Sequence, residues 1–318
     1  MPQKLVFGIK PRDAAGVAPR GAFRFRLDPG ASSTDIVSIY NYSTAPLDLR
    51  LYPTDAFTNR SGSFTTAPAA DRAKDVGSWI RLALPQARQF RVTARTRVDV
   101  AFRLVVPREA SPGDHLGGIV VSLIADSHDA KGNKIKVDNR VSAPVTVRVS
   151  GPVHAQLAID ELKASYAGAL SPLGRGRIRI TYSVRNAGNI LLGGHQRLTV
   201  EGWFGQSFSP ALADLAPLAP GSRTDVSVVL PNTLPAFRYR AAVAVVPTSQ
   251  VGDPIGERAV ATAGIWAVPW SPLVTLLVVA LAAWRTRSYL ANRVAGRHSG
   301  RRAASRRSRR GTSEQVLA

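Results

Sequence analysis

Val98-Asp99-Val100-Ala101-Phe102-Arg103-Leu104-Val105-Val106-Pro107 is the stretch that decides how the chain folds. Successive side chains of an extended strand point to opposite faces, so Val98, Val100, Phe102, Leu104 and Val106 form one apolar row. Pro107 ends the row because it has no N–H to give a ladder. The same two-residue period recurs on either side. In Phe23-Arg24-Phe25-Arg26-Leu27-Asp28 apolar and charged residues take opposite faces. Leu47, Leu49 and Leu51 alternate with Asp48, Arg50 and Tyr52, and Val145, Val147 and Val149 repeat the pattern. Turn signals lie between these runs, at Pro29-Gly30, Arg60-Ser61-Gly62, Pro112-Gly113 and Lys131-Gly132-Asn133. No helical period is sustained before residue 264, and short strands at this spacing predict sandwiches rather than a βαβ sheet.

A break at Ser150-Gly151-Pro152 separates this set from a second. There Val153, Ala155, Leu157 and Ile159 share one face and Ile178, Ile180, Tyr182 and Val184 another. Further strands are expected near Leu198–Gly202, Val226–Leu230 and Tyr239–Val246. The expected fold is therefore mainly β: two immunoglobulin-like β-sandwich domains, residues 1–150 and 151–252. A stalk over 253–264, one transmembrane helix over 265–286 and a basic disordered tail over 287–318 follow.

The helix expectation rests on Ile265–Trp284, twenty residues without a charge. At about 1.5 Å per residue such a helix spans roughly 30 Å, the thickness of a hydrocarbon core. Trp266 and Trp270 at one end, and Trp284 with Arg285 and Arg287 at the other, are the expected membrane-interface residues. Arg285–Ala318 holds ten arginines and one glutamate, a net +9. By the positive-inside rule this flank stays cytoplasmic, which places residues 1–264 outside a single-pass cell-membrane protein. An outer domain needs an export signal. Met1-Pro2-Gln3-Lys4-Leu5-Val6 begins no apolar stretch long enough to be one, so the signal is expected upstream of it.

The whole chain has 318 residues and a formal charge of +21, from 42 basic and 21 acidic residues. Removing the tail's ten basic and one acidic residues leaves 32 against 20, or +12, spread over 284 positions. Of the 42 basic residues 35 are arginine, a bias that points to base composition rather than to a nucleic-acid surface. Arginines beside a membrane hold topology and touch anionic headgroups, so nucleic acid is not the expected partner. There are no cysteines, which excludes disulfide frameworks, thiolate metal sites and cysteine nucleophiles. The five histidines have no metal-ligand spacing, and Asp126-Ser127-His128-Asp129 reads as a solvated hairpin tip. Asp160 and Glu161 are neighbours on opposite strand faces, a poor general-acid pair. No P-loop, G-x-S-x-G, H-E-x-x-H or dinucleotide motif occurs. Neither catalytic residues nor metal nor cofactor is expected.

Several stretches together resemble a family. They are Phe7-Gly8-Ile9-Lys10-Pro11, the strand ending at Asn41, the Asp55-Ala56 loop leading to Gly62, and the segment marked by Pro107, Pro112, Gly113, Gly117 and Gly118. In this order they resemble the peptidoglycan-binding domain of WxL-interacting proteins, in a membrane-anchored form, over about residues 5–150. The second half is similar to immunoglobulin-like modules with an N-x-G-N turn, here Asn186-Ala187-Gly188-Asn189, where Asn and Gly would allow a positive φ. The resemblance implies a non-catalytic protein that binds peptidoglycan or an anionic wall polymer.

A sugar face is usually met by an exposed aromatic ring framed by polar side chains. Tyr40, Tyr42, Tyr52 and Trp79 are the candidate rings, with Asp55, Asn59 and Arg60 in the adjacent loop. Tyr52, Asp55, Asn59, Arg60 and Trp79 are the selected ligand residues, and Trp79 is expected on an exposed face opposite Ile80, Leu82 and Leu84. Arg24, Arg26, Arg95, Arg97, Arg177 and Arg179 face outward, either toward wall anions or simply into water. The alternative function is a chaperone or scaffold for surface-protein assembly, because two linked sandwiches with an unpaired edge strand can capture a partner strand.

Overall fold

The computed structural model describes the chain outside residues 1–5, 13–19, 85–88, 129–131, 170, 172–173, 250–252, 254–255 and 311–318, with backbone alone at 127–128 and 291–310. The first sandwich holds β1 (Phe7–Pro11), β2 (Phe23–Leu27), β3 (Ser32–Asn41), β4 (Leu47–Thr58), β5 (Phe64–Thr66), the single-turn helix α1 (Val76–Trp79), β6 (Ile80–Leu82), β7 (Gln89–Val92), β8 (Arg97–Val105), β9 (Gly113–His128) and β10 (Lys134–Val149). One sheet runs β1-β3-β8-β6 and the other β2-β10-β9-β4-β5, with β7 also on β4. The even-numbered row of β8 is the predicted core face: Val100, Phe102 and Leu104 are buried, and Phe23 meets Phe102 edge to face at 4.9 Å.

The second sandwich holds β11 (Leu157–Ala167), β12 (Gly176–Asn186), β13 (Leu192–Gly202), β14 (Ser207–Phe208), β15 (Leu215–Leu218), β16 (Arg223–Thr233), β17 (Phe237–Thr248) and β18 (Ala259–Ala267). Its sheets are β11-β12-β16 and β14-β13-β17-β18, with β15 on β13, closed over a core around Tyr182, Ile178, Ile180, Val200, Val243 and Tyr239. Two expectations are corrected here. Ala259–Ala267, read as stalk and helix start, pairs along β17 from Ala259↔Val245 to Ala267↔Phe237 and completes the second sandwich. The helix α2 then runs from Trp270 to Arg310, so the arginine-rich segment expected to be disordered from 287 is helical to Arg310. Its residues Trp270–Leu290 are long and apolar enough to cross a membrane.

Among the described residues the two sandwiches are joined through Arg148 with Asp114, through Asn189, and through the loop at Arg60. Arg148 on β10 grips Asp114 on β9 through Nε and Nη2, and reaches Asp253 of the second unit through Nη1 at 3.0 Å. Asp114 also accepts from the Leu191 N–H at 2.7 Å. Asn189 donates to the carbonyls of Pro112 and Pro152, both at 2.9 Å, and its own carbonyl accepts from the Asp114 N–H at 2.7 Å. A Cβ on Gly113 would stand 2.1 Å from that Asn189 carbonyl oxygen, and its φ of +126° also suits glycine. The N-x-G-N turn is thus an inter-domain joint. Gly188 is required for space rather than for positive φ, since its Cβ would meet the His154 oxygen at 2.2 Å.

Candidate functional site

The five selected ligand residues do not converge on a sugar-binding face. Trp79 closes α1 with only 6% of its surface exposed and packs on His115, ring centroids 4.9 Å apart, because the single turn of α1 rotates it inward. Tyr52 is also buried. The Asp55 carboxylate is spent on backbone N–H groups, of Lys74 (2.6 Å), Asp75 (3.1 Å) and Gly77 (2.8 Å), and so holds the segment that enters α1. The Asn59 side-chain oxygen accepts from the Ser61 and Ser63 N–H groups, both at 3.0 Å, an Asx-type turn. Arg60 crosses to the second sandwich. Its carbonyl accepts from the Asp225 N–H (2.9 Å) and the Thr224 hydroxyl (3.1 Å), and its guanidinium meets Asp225 at 3.3 Å. Asp225 lies below the usual carboxylate range, chiefly through its hydrogen bond from Ser183 and secondarily through Arg60. The loop is therefore the third inter-domain contact, with the Thr58 hydroxyl accepting from the Ala219 N–H at 3.0 Å. Tyr40 and Tyr42 stack on each other at 5.6 Å, and all six outward arginines named above are exposed.

A polar cavity of about 260 Å³ lies between the units, lined by Asp75, Ser111, Asp114, His115, Asn189 and Ser222 among others. His115 faces acceptors with both ring nitrogens: Nδ1 lies 2.9 Å from Asp75, and Nε2 lies 2.8 Å from the Ser111 carbonyl. Burial opposes its charge, but the hydrogen bonds to Asp75 and Ser111 and the nearby Asp75 and Asp114 charges outweigh it, so its pKa is raised. A raised folded pKa stabilises fully below the ordinary value of 6.5 and the gain is lost as pH rises through the folded value. Thermal stability of the first sandwich should accordingly decline across that window. His115→Gln should flatten the slope, and an unchanged slope would remove His115 as its source. Among the described residues no group of three or more His, Cys, Asp or Glu could hold a metal.

The surface that stands out is the β9–β10 hairpin. β9 pairs with β10 along its whole length, from Gly113↔Val149 to His128↔Lys134. On the other side of β10, β2 pairs only with Val145–Val149, so among the described residues no strand covers that edge over Lys134–Pro144. The odd row of β10 is buried at Ala143, Val145, Val147 and Val149, then continues into the open as Val141, Asn139, Val137 and Ile135, all exposed. Leu123 and Ala125 of β9 lie opposite Asn139 and Val137 on the same face. The even row carries Lys134, Lys136, Asp138 and Arg140, charges of the kind that keep an edge from pairing indiscriminately. Alternation marked the strand in the sequence, but nothing there distinguished the buried half of the row from the open half.

Trp270 is the first residue of α2, and Trp284, Arg285 and Arg287 are exposed along it. Trp266, expected inside the helix, instead projects from β18 ahead of it, with the Arg238 guanidinium 5.5 Å from its ring centroid.

No protein-family model matches the chain, and no curated protein does. Among solved structures it is similar to a chaperone–tip adhesin complex of CFA/I fimbriae biogenesis, at 10% identity over 81% of this chain and 98% of that one, with a TM-score of 0.40. It is similar to the class 5 fimbriae chaperone CfaA at 10% identity over 76% and 96%, TM-score 0.37. A chain of the Salmonella enterica SafA pilin–SafB chaperone complex matches at 9% identity over 83% and 99%, TM-score 0.35. The ligand is therefore to be read from this chain's own residues and from the two β-sandwiches they build.

Proposed function

We propose that the chain is a membrane-anchored, non-catalytic scaffold that captures an extended segment of a surface protein along the open edge of β10. The observation that carries this reading is the uncovered edge over Lys134–Pro144 with Ile135, Val137 and Val141 exposed on its core-facing row. Eleven extended residues at about 3.3 Å each offer roughly 36 Å of unpaired backbone. A partner strand would satisfy those N–H and C=O groups, while its alternate apolar side chains cover a row that the opposite sheet does not reach. α2 supplies the anchor, and the arginines after Trp284 favour an arrangement with both sandwiches on the outer side.

The test is a photo-crosslinking residue at Val137 of the full chain in its own cells, with the same residue at Arg179 as a control. The expected result is one adduct with a surface protein at position 137 and none at 179, abolished by adding Val141→Lys. An adduct of twice the chain's mass would mean that the edge pairs with a second copy. Retention on purified peptidoglycan, with no protein adduct, would return the wall polymer as the partner.

A further inference from the structure

Five aromatic side chains crowd one end of the second sandwich and stand exposed: Trp203 (73%), Phe204 (66%), Phe237 (39%), Trp266 (71%) and Trp270 (69%). The ladders bring them together. Gly202 pairs with Tyr239 and Phe237 with Ala267, so the turn after β13, the start of β17 and the end of β18 meet at this end. The Trp203 N–H donates to the Arg238 carbonyl at 3.1 Å, and the Phe204 and Phe237 rings lie 6.3 Å apart, edge to face. Phe237 holds a φ of 58°, a left-handed conformation that a bulky residue adopts only when its surroundings impose it. Burying large rings against solvent is the usual reason for such a cluster, yet here the rings face outward.

The helix leaves from the same end. Only Val268 and Pro269 separate β18 from α2, and the Ser271 hydroxyl in the first helical turn donates to the carbonyls of Ala169 (3.0 Å) and Ser171 (3.2 Å). Two extended residues reach at most about 7 Å, so a sandwich on this tether cannot stand clear of any membrane that α2 enters.

We propose that this end is a membrane-seating face: Trp203, Phe204, Phe237, Trp266 and Trp270 lie in the headgroup layer of the bilayer, with Arg238 against lipid phosphate. The inference rests on α2 crossing a membrane, as the proposed function does. The occupant is lipid rather than protein because the patch is continuous with the apolar helix. It is also built of Trp and Phe beside a cation, the composition that favours the interface. The second sandwich then rides fixed on the bilayer and holds the β9–β10 hairpin at a constant tilt.

The chain has no cysteine, so single labels can be placed cleanly. Full chain carrying a nitroxide at Phe204→Cys is reconstituted in phosphatidylcholine–phosphatidylglycerol nanodiscs, and collisions with oxygen and with a water-soluble nickel chelate are compared. Leu277→Cys reports the span and Val137→Cys reports water. The oxygen-to-nickel ratio at 204 should exceed that at 137 several-fold and fall below that at 277, and Trp203→Cys should repeat it. A ratio at both 203 and 204 equal to that at 137, with 277 deep, overturns the seating face and leaves the span intact. Protection from both reagents at 203 and 204 overturns it in favour of a protein cover. An aqueous reading at 277 overturns the span, and the seating face with it.

Discussion

Replacing Arg148 by methionine will unlock the two sandwiches from each other while leaving each folded. Arg148 is 14% exposed and stands between Asp114, 4% exposed, and Asp253, 11% exposed. Its planar guanidinium serves both at once, two nitrogens on Asp114 and the third on Asp253. Methionine keeps much of the volume and removes the charge. Two buried carboxylates are then left facing each other, and breaking such a pair by deleting one partner costs about 3–5 kcal/mol. The loss falls on the joint because Arg148 and Asp114 belong to one core and Asp253 to the other unit. With nitroxides at Lys134→Cys and Arg179→Cys, the distance distribution between the units should broaden markedly in Arg148→Met. Arg148→Lys should give an intermediate width, since an ammonium cannot reproduce the two-sided fork. A distribution as narrow as that of the parent chain would mean that Asn189 and Arg60 hold the joint without it.

The joint was also the least legible part of the molecule. Strand alternation at Val98–Val106, Phe23–Leu27 and Val145–Val149 maps directly onto β8, β2 and the buried half of β10, because one face of each packs on a single core. β18 escaped the same reading. Ala259, Ala261 and Ala263 give little contrast between faces, and the strand abuts the apolar start of α2, so its end merged with the helix. α1 has four residues, too few to show a period, and it turned Trp79 from an expected surface ring into a core residue. Arg60 and Asp225 touch across 165 positions, and nothing local to Arg60 signals a partner so distant. A polar loop with Asp, Asn and Arg looks alike whether it meets a sugar or another domain. The open edge was legible only as a possibility of the architecture, since exposure of Val137 depends on where the opposite sheet stops.

Asn186→Ala should be the most damaging single change within the second sandwich, and the reason appears twice in the chain. Asn186 is fully buried at the end of β12. Its amide donates to the carbonyls of Ile190 (2.7 Å) and Leu218 (2.8 Å), and its side-chain oxygen accepts from the Gly188 N–H (3.0 Å). Asn41, at the end of β3, repeats the arrangement: it donates to Ala45 (2.9 Å), Val92 (3.0 Å) and Thr93 (3.0 Å), and accepts from the Ser43 N–H (2.9 Å). In both, the amide bonds the carbonyl four residues on and the oxygen takes the N–H two residues on. One side chain thus satisfies a strand end that turns inside the core, where water cannot replace it. Alanine leaves two buried carbonyls to find partners, while the Gly188 N–H keeps its bond to the Gln156 carbonyl (3.1 Å), a loss of about 3 kcal/mol. That corresponds to roughly a hundredfold lower hydrogen-exchange protection for β12 and β13. Aspartate should be no rescue, because a carboxylate cannot donate to Ile190 and Leu218. Protection in β3 and β8 should stay at the parent level, since Asn41 serves a separate core. If β12 and β13 keep their protection in Asn186→Ala, the buried amide is not what holds this end of the sandwich. The Asn189 joint would then be expected to stay closed as well.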